Sequence, residues 1–146
     1  MKAQKQIIGK DDIADLPAFE LENVKVKTDS GAYTCTIHCS HIDETPGGLE
    51  VIFLAEDEQG FSGKKVTIPV YQRKKVRSSS GELQERYIIQ GNIVLFGKTY
   101  NTEFTLSRRD LMRYPVLLGR KLLNHRFLID TAESNNSYNM KNKINA

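Results

Sequence analysis

Lys27-Thr28-Asp29-Ser30-Gly31-Ala32-Tyr33-Thr34 (residues 27–34) sits between two stretches of alternating pattern. Upstream, Leu21–Thr28 alternates around Val24 and Val26. Downstream, Tyr33–Cys39 sets Tyr, Cys, Ile and Cys against Thr, Thr and His. Period-two alternation marks half-buried strands, so Asp-Ser-Gly joins two strands through a turn. Alone, such a tripeptide is ordinary turn chemistry. It also gathers a carboxylate able to hold or activate water and a hydroxyl able to fix its surroundings. The glycine beside them lets another backbone come close.

Outward from this stretch most of the chain reads as short strands. Leu49–Ala55 is an apolar run ending at the turn signal Asp57-Glu58-Gln59-Gly60. Lys65–Tyr71 and Arg86–Gln90 are two more strands, joined by the polar segment Arg73–Glu85. Asn92–Phe96 and Thr99–Leu106 form a hairpin around Gly97-Lys98. Val116–Leu118 and Arg126–Asp130 complete the set. Helix signals are confined to Arg108–Arg113, where Ser107 and Asp110 form a capping pair, and Arg120–Asn124. Many short strands with one or two short helices predict an all-β, closed or folded-over structure. One domain over residues 1–132 and a polar, mobile tail over 133–146 are expected.

Composition is ordinary for a globular chain, with 39% hydrophobic and 27% charged residues. No run approaches the roughly 18 apolar residues of a membrane helix. The first residues lack a secretory pattern, so a cytoplasmic protein without membrane contact is expected. Charge is uneven: residues 1–60 hold 5 Lys and Arg against 12 Asp and Glu, and residues 61–146 hold 16 against 6. Such asymmetry fits a polyanion partner, two halves of one domain in mutual attraction, or like subunits meeting acidic face to basic face. Base-stacking aromatic motifs are missing from the sequence, and no nucleic-acid partner is expected.

Cys35 and Cys39 are four strand residues apart, roughly 13 Å. A disulfide tolerates about 7 Å between Cα atoms, so reduced thiols are expected. Cys35, His38, Cys39 and His41 supply four metal-ligand side chains in seven residues. Strand alternation puts the cysteines on one face and His38 on the other, so a single ion is not closed by all four. The chain also has no HExxH, and no phosphate loop: Gly9-Lys10 runs into Asp11, and Gly63-Lys64 into Lys65. No metal and no cofactor are expected.

The Asp29-Ser30-Gly31-Ala32 segment is matched far along the chain by Pro115-Val116-Leu117-Leu118-Gly119-Arg120. Asp-Ser/Thr-Gly-Ala early and apolar-apolar-Gly late resembles the retropepsin-like aspartic proteases. A narrower pattern adds Ile7-Ile8-Gly9-Lys10, Leu16-Pro17, Thr34, His38, Arg73-Lys74-Lys75-Val76-Arg77, Ser79-Ser80-Gly81 and Arg86. It ends in Arg109, Met112, Pro115, Leu118, Gly119-Arg120 and Leu123. This is similar to a bacterial family labelled ATP-dependent zinc proteases, over roughly residues 7–131. Ser30 replaces the commoner Thr, Tyr33 a usual basic residue, and Cys35 a usual Ser.

The resemblance implies a closed retropepsin-like acid-protease barrel in which the late strand passes beside the catalytic loop. It implies aspartic-peptidase chemistry at Asp29, with Ser30 and Gly31 completing the catalytic segment. Only one such motif is present, since Asp130-Thr131-Ala132 lacks the glycine, so a homodimer pairing two Asp29 carboxylates is expected. His38, Leu118, Gly119 and Arg120 would support the loop. A flap over Arg73–Glu85, tipped by Ser78-Ser79-Ser80-Gly81, would cover substrate. Ala32, Arg73, Lys74, Lys75, Arg77, Ser80 and Gly81 would contact it. The basic flap, and the occurrence of family members alongside glutamate ligases, point to acidic, glutamate-rich peptides. The competing expectation is a non-catalytic β-barrel that binds acidic peptides or proteins without cutting them.

Overall fold

The computed structural model describes residues 4–77, 80–108 and 113–145. In chain order its strands are β1 (Gln6–Ile8), β2 (Asp11–Leu16), β3 (Leu21–Thr28), β4 (Cys35–Thr45), β5 (Gly48–Phe53), β6 (Lys65–Ile68), β7 (Gln72–Arg77), β8 (Leu83–Leu95), β9 (Lys98–Ser107), β10 (Val116–Leu118) and β11 (Phe127–Ile129). Two short helices follow late, α1 (Arg120–Leu123) and α2 (Asn136–Asn145). The expected all-β class holds.

Six strands close into a barrel in the order β10-β3-β2-β8-β9-β4, with β4 returning to β10. β5 and β6 extend the sheet beyond β4, β7 hangs on β8, and β1 pairs with β11 in a separate parallel ribbon. Alternation fills the inside: Val24 and Val26 from β3, Cys35, Ile37 and Cys39 from β4, and Phe104 and Leu106 from β9. Phe19, delivered by a 3-10 turn after β2, stacks on Phe53 with ring centroids 4.4 Å apart.

The hairpin expected around Gly97-Lys98 turns one residue earlier. Leu95 pairs with Lys98, so Phe96-Gly97 are the loop, both at positive φ (53° and 73°), the two-residue turn that suits right-handed strand twist. The polar segment Arg73–Glu85 is a hairpin in its own right, β7 against β8 in register from Gln72↔Ile88 to Arg77↔Leu83. Ser78 and Ser79 of its expected tip lie outside the described residues. So do Arg109, Asp110 and Met112 of the expected helix over 108–113.

The expected mobile tail is instead a docked helix, and a buried carboxylate holds it. Asp12 is 1% exposed. Its Oδ2 accepts the Ser137 N–H at 2.9 Å, and its Oδ1 accepts those of Tyr138 at 3.1 Å and Ile13 at 2.8 Å. Ser137 Oγ in turn accepts the Phe96 N–H at 2.8 Å, which ties α2 to the β8–β9 turn. Burial pushes the Asp12 carboxyl above the usual range, against the pull of those three amides. A raised folded-state pKa means the native state takes the proton more readily than the unfolded chain. Ionised Asp12 therefore costs stability at neutral pH, and the cost fades as pH falls through the raised value.

Replacing Asp12 by Ala leaves the first amides of α2 without their acceptor. Asp12→Ala is expected to lower stability by about 1–3 kcal/mol. Hydrogen exchange is the check, with protection lost first across residues 137–145.

Candidate active site

The site begins with a strand in an unusual position. β10 runs parallel to β3, pairing Leu118 with Thr28, and antiparallel to β4, pairing Leu117 with Thr36. β3 and β4 are consecutive, yet β10 lies between them. The segment linking them, 29–34, must therefore cross the end of β10. There the Asp29 N–H donates to the Leu118 carbonyl at 2.9 Å, continuing the ladder by one rung.

The turn closes on itself through Ala32 N–H to Asp29 O at 3.1 Å and Gly31 N–H to Asp29 Oδ1 at 3.2 Å. The latter orients the carboxylate. Among the described residues its second oxygen accepts nothing, and Asp29 is half-buried. α1 then clasps the loop. Arg120 N–H donates to Ala32 O at 2.9 Å, and Lys121 N–H to Tyr33 O at 2.8 Å. The Arg120 guanidinium donates to Ser30 O at 2.9 Å and lies 5.7 Å from the Tyr33 ring centre. Thr28 Oγ1 donates to the carbonyls of Gly9 and Lys10, fixing the other side.

Gly119 is where this clasp needs a missing side chain. A Cβ there would meet Thr34 O at 2.5 Å and Tyr33 O at 2.7 Å, backbone against backbone. Gly31 differs. Its Cβ would meet only Asp29 Oδ1, at 3.4 Å, so nothing inside one chain excludes a side chain.

The structure thus brings Asp29, Ser30, Gly31, Ala32, Leu118, Gly119 and Arg120 into one constellation. His38 stands further along β4, buried, its Nδ1 2.6 Å from Glu58 Oε1. Its N–H donates to Pro115 O and its carbonyl accepts Leu54 N–H, both at 2.8 Å, so it ties β4 to the segment leading into β10. Arg73, Lys74, Lys75 and Arg77 lie on β7, and Ser80 and Gly81 beyond its end. Sequence reading passed over Lys121, whose amide holds Tyr33 O while its ammonium pairs with Glu103 at 2.7 Å. It also passed over Thr105, whose hydroxyl meets that of Thr34 at 3.3 Å. Neither carries a sequence signal.

Zinc at Cys35, His38, Cys39 and His41 does not fit these positions. Both cysteines are buried in the core as free thiols. Burial raises the Cys35 thiol to about 11 and the Cys39 thiol further, because a thiolate at either place would lose its hydration. His38 is engaged with Glu58 and His41 with Glu50. A different trio, His41, Asp43 and Glu50, brings donor atoms within 4.8 Å of one another, with Lys65 Nζ already 3.5 Å from Glu50.

Residues 7–138 match the RimB-like family, described as retropepsin-like aspartic endopeptidase RimB. The chain belongs to this family. Two relatives are each named "Probable alpha-L-glutamate ligase". The one from Shewanella halifaxensis is 34% identical over 92% of this chain and 30% of its own length. The one from Parasynechococcus marenigrum is 34% identical over 87% of this chain and 28% of its own. The RimB-like chain therefore spans under a third of the relatives it matches. A crystal structure of a Legionella pneumophila protein of unknown function, Lpg0085 (DUF785), shares the fold with a TM-score of 0.69. It is 23% identical and is covered over 99% of its length by 92% of this chain. Among the described residues no helix is long and apolar enough to cross a membrane.

The two glycines of this constellation give a paired expectation. Gly119→Ala forces backbone apart and should cost about 3 kcal/mol in denaturant unfolding. Gly31→Ala should change the stability of a single chain by less than about 1 kcal/mol, because its Cβ has room.

Proposed function

We propose that the protein is an aspartic endopeptidase that works as a homodimer, with Asp29 and its symmetry mate sharing one proton across a water. The observation that carries this reading is the single Asp29-Ser30-Gly31 loop, hung on Leu118 and clasped by α1, with one carboxylate oxygen oriented and the other open. Two carboxylates about 3 Å apart cannot both ionise, so the pair is poised as one base and one acid. The ionised member takes a proton from water as oxygen attacks the scissile carbonyl. The protonated member gives its proton to the carbonyl oxygen. The resulting diol collapses with proton transfer to the leaving amine.

A twofold axis supplies two identical carboxylates from one gene. Exposed apolar groups are at hand for such a contact: Tyr33 beside the loop is 57% exposed, and the register partners Ile7 and Leu128 are 46% and 53% exposed. Acidic peptides are the proposed substrate class. Its supports are the cations carried by the β7–β8 hairpin and relatives named "Probable alpha-L-glutamate ligase". The ligase name also favours a second reading, since a domain matching under a third of a ligase could bind an acidic tail without cutting it.

Asp29→Asn separates the two. It keeps size and most hydrogen bonds but removes the group that holds the shared proton. Cleavage of glutamate-containing peptides should disappear, and the melting temperature near neutral pH should stay equal or rise as like-charge strain is relieved. Destabilisation with cleavage untouched would assign Asp29 to turn structure alone. Light scattering should find a dimer at micromolar concentration.

A further inference from the structure

The sheet extension beyond β4 carries a side-chain cluster that the Asp29 site does not use. It begins at an irregularity in the β4–β5 ladder, where Cys39 pairs with Phe53 but His41 pairs with Ile52. The extra residue on β4 flips the alternation there. Cys39 and Ile42 both reach the core although three residues apart, and His41 is turned outward beside Asp43. Glu50 stands directly across from Asp43 on β5. Behind this face Ile42, Leu49 and Val51 are buried, so both strands are held by the core. The donor atoms of His41, Asp43 and Glu50 all lie within 4.8 Å of one another, with His41 Nε2 3.1 Å from Glu50 Oε1. Among the described residues no other group of three His, Cys, Asp or Glu side chains comes this close.

Charge at this place is unbalanced. Asp43 and Glu50 are like charges directly opposite in a sheet, an arrangement that costs stability unless a cation comes between. The chain supplies one of its own from β6. Lys65, the register partner of Ile52, brings its ammonium to 3.5 Å from Glu50 Oε1. Its side chain remains 56% exposed, so a better cation can displace it. Asp43 makes no hydrogen bond or ion pair among the described residues.

We infer that His41, Asp43 and Glu50 form a binding site for a first-row divalent transition-metal ion, which joins β4 to β5 and displaces Lys65. The imidazole selects against magnesium and calcium, which prefer oxygen donors alone. Zinc ligands lie about 2.0–2.2 Å from the ion, which at tetrahedral angles sets donor atoms roughly 3.5 Å apart. His41 and Glu50 already stand near that spacing, and the exposed Asp43 carboxylate closes on them by side-chain rotation. Water completes the coordination. Of the four ligands that sequence spacing gathers, His41 alone takes part. Asp43 and Glu50 join it through the bulge and the register.

The test uses the whole untagged chain, stripped with chelator and titrated with zinc chloride, read by calorimetry and by NMR of the histidine rings. One ion per chain should bind, shifting the His41 ring nitrogens and leaving those of His38 in place. His41→Gln and Asp43→Asn should each weaken binding by about tenfold or more. Lys65→Gln should tighten it, because the competing ammonium is gone. Zinc should raise the melting temperature of the unaltered protein and not that of His41→Gln. Asp29→Asn should bind zinc as the unaltered protein does, so this site stands or falls apart from the peptidase reading. Absence of saturable binding, a shift at His38 instead of His41, or an equal response to magnesium overturns the assignment. So does unchanged affinity in both ligand variants.

Discussion

Everything about the site depends on one three-residue strand lying where a hairpin ought to be. β3 and β4 follow each other in the chain and would pair directly if nothing came between. Val116, Leu117 and Leu118 are all buried, and their backbone groups serve a parallel neighbour on one side and an antiparallel one on the other. Each such hydrogen bond contributes only about 1 kcal/mol net, but an unpaired group at this depth would cost more. The wedge is therefore held from both sides, and the 29–34 loop is stretched across its end. The loop's geometry is thus a long-range product. It cannot form until residues 116–121 arrive, because Leu118 O, Arg120 N–H and Lys121 N–H are what fix it.

That dependence explains which parts were legible in sequence. The two flanking strands, the apolar pair and Gly119 each carry a local pattern, and the resemblance joined them. Sequence showed the fold wherever inside and outside differ in polarity. β2 breaks that rule: Asp11–Leu16 alternates in burial throughout, but one inward position is Asp12, and a carboxylate reads as surface. β7 fails for the opposite reason, since Arg73, Lys74, Lys75 and Arg77 put charge on both faces and erase the alternation. α2 has no marked apolar face and is held by its first-turn bonds to Asp12, an interaction that joins residues at opposite ends of the chain. Within the site, Asp29 and Gly119 were readable from motif. Lys121 and Thr105 were not, because one acts through its backbone and the other through register.

The charge asymmetry finds much of its account inside the molecule. Of the ion pairs between Lys or Arg and Asp or Glu among the described residues, Lys64–Glu20, Lys65–Glu50, Arg73–Glu44 and Lys141–Asp15 join the basic second half to the acidic first half. Only Lys121–Glu103 stays within the second half. Exposed pairs of this kind contribute little stability each, 0 to about 1 kcal/mol. Their larger effect is to remove cations from the pool a ligand could use. Arg73 is the clearest case: it belongs to the conspicuous basic run, yet Glu44 claims it at 3.0 Å. A basic stretch in sequence is a census of side chains, whereas a binding surface is what remains after internal neutralisation.

The same distinction between what a chain uses and what it leaves over bears on Asp29. Gly119 is fully accounted for within one protomer, since the backbone of residues 33 and 34 occupies the place of its side chain. Gly31 is not, for it keeps space where a Cβ would sit, and its neighbour Asp29 keeps one oxygen unbonded among the described residues. Asp12, by contrast, uses both oxygens internally, on three amides. Asp12 and Asp29 are thus two carboxylates in one barrel with opposite logic. Asp12 is buried, saturated and raised in pKa by burial, which suits an anchor. Asp29 is oriented by a single amide and otherwise open, and room is left at Gly31. In the homodimer proposed above, a second loop related by a twofold would face this open oxygen and Gly31, with water and peptide between the two.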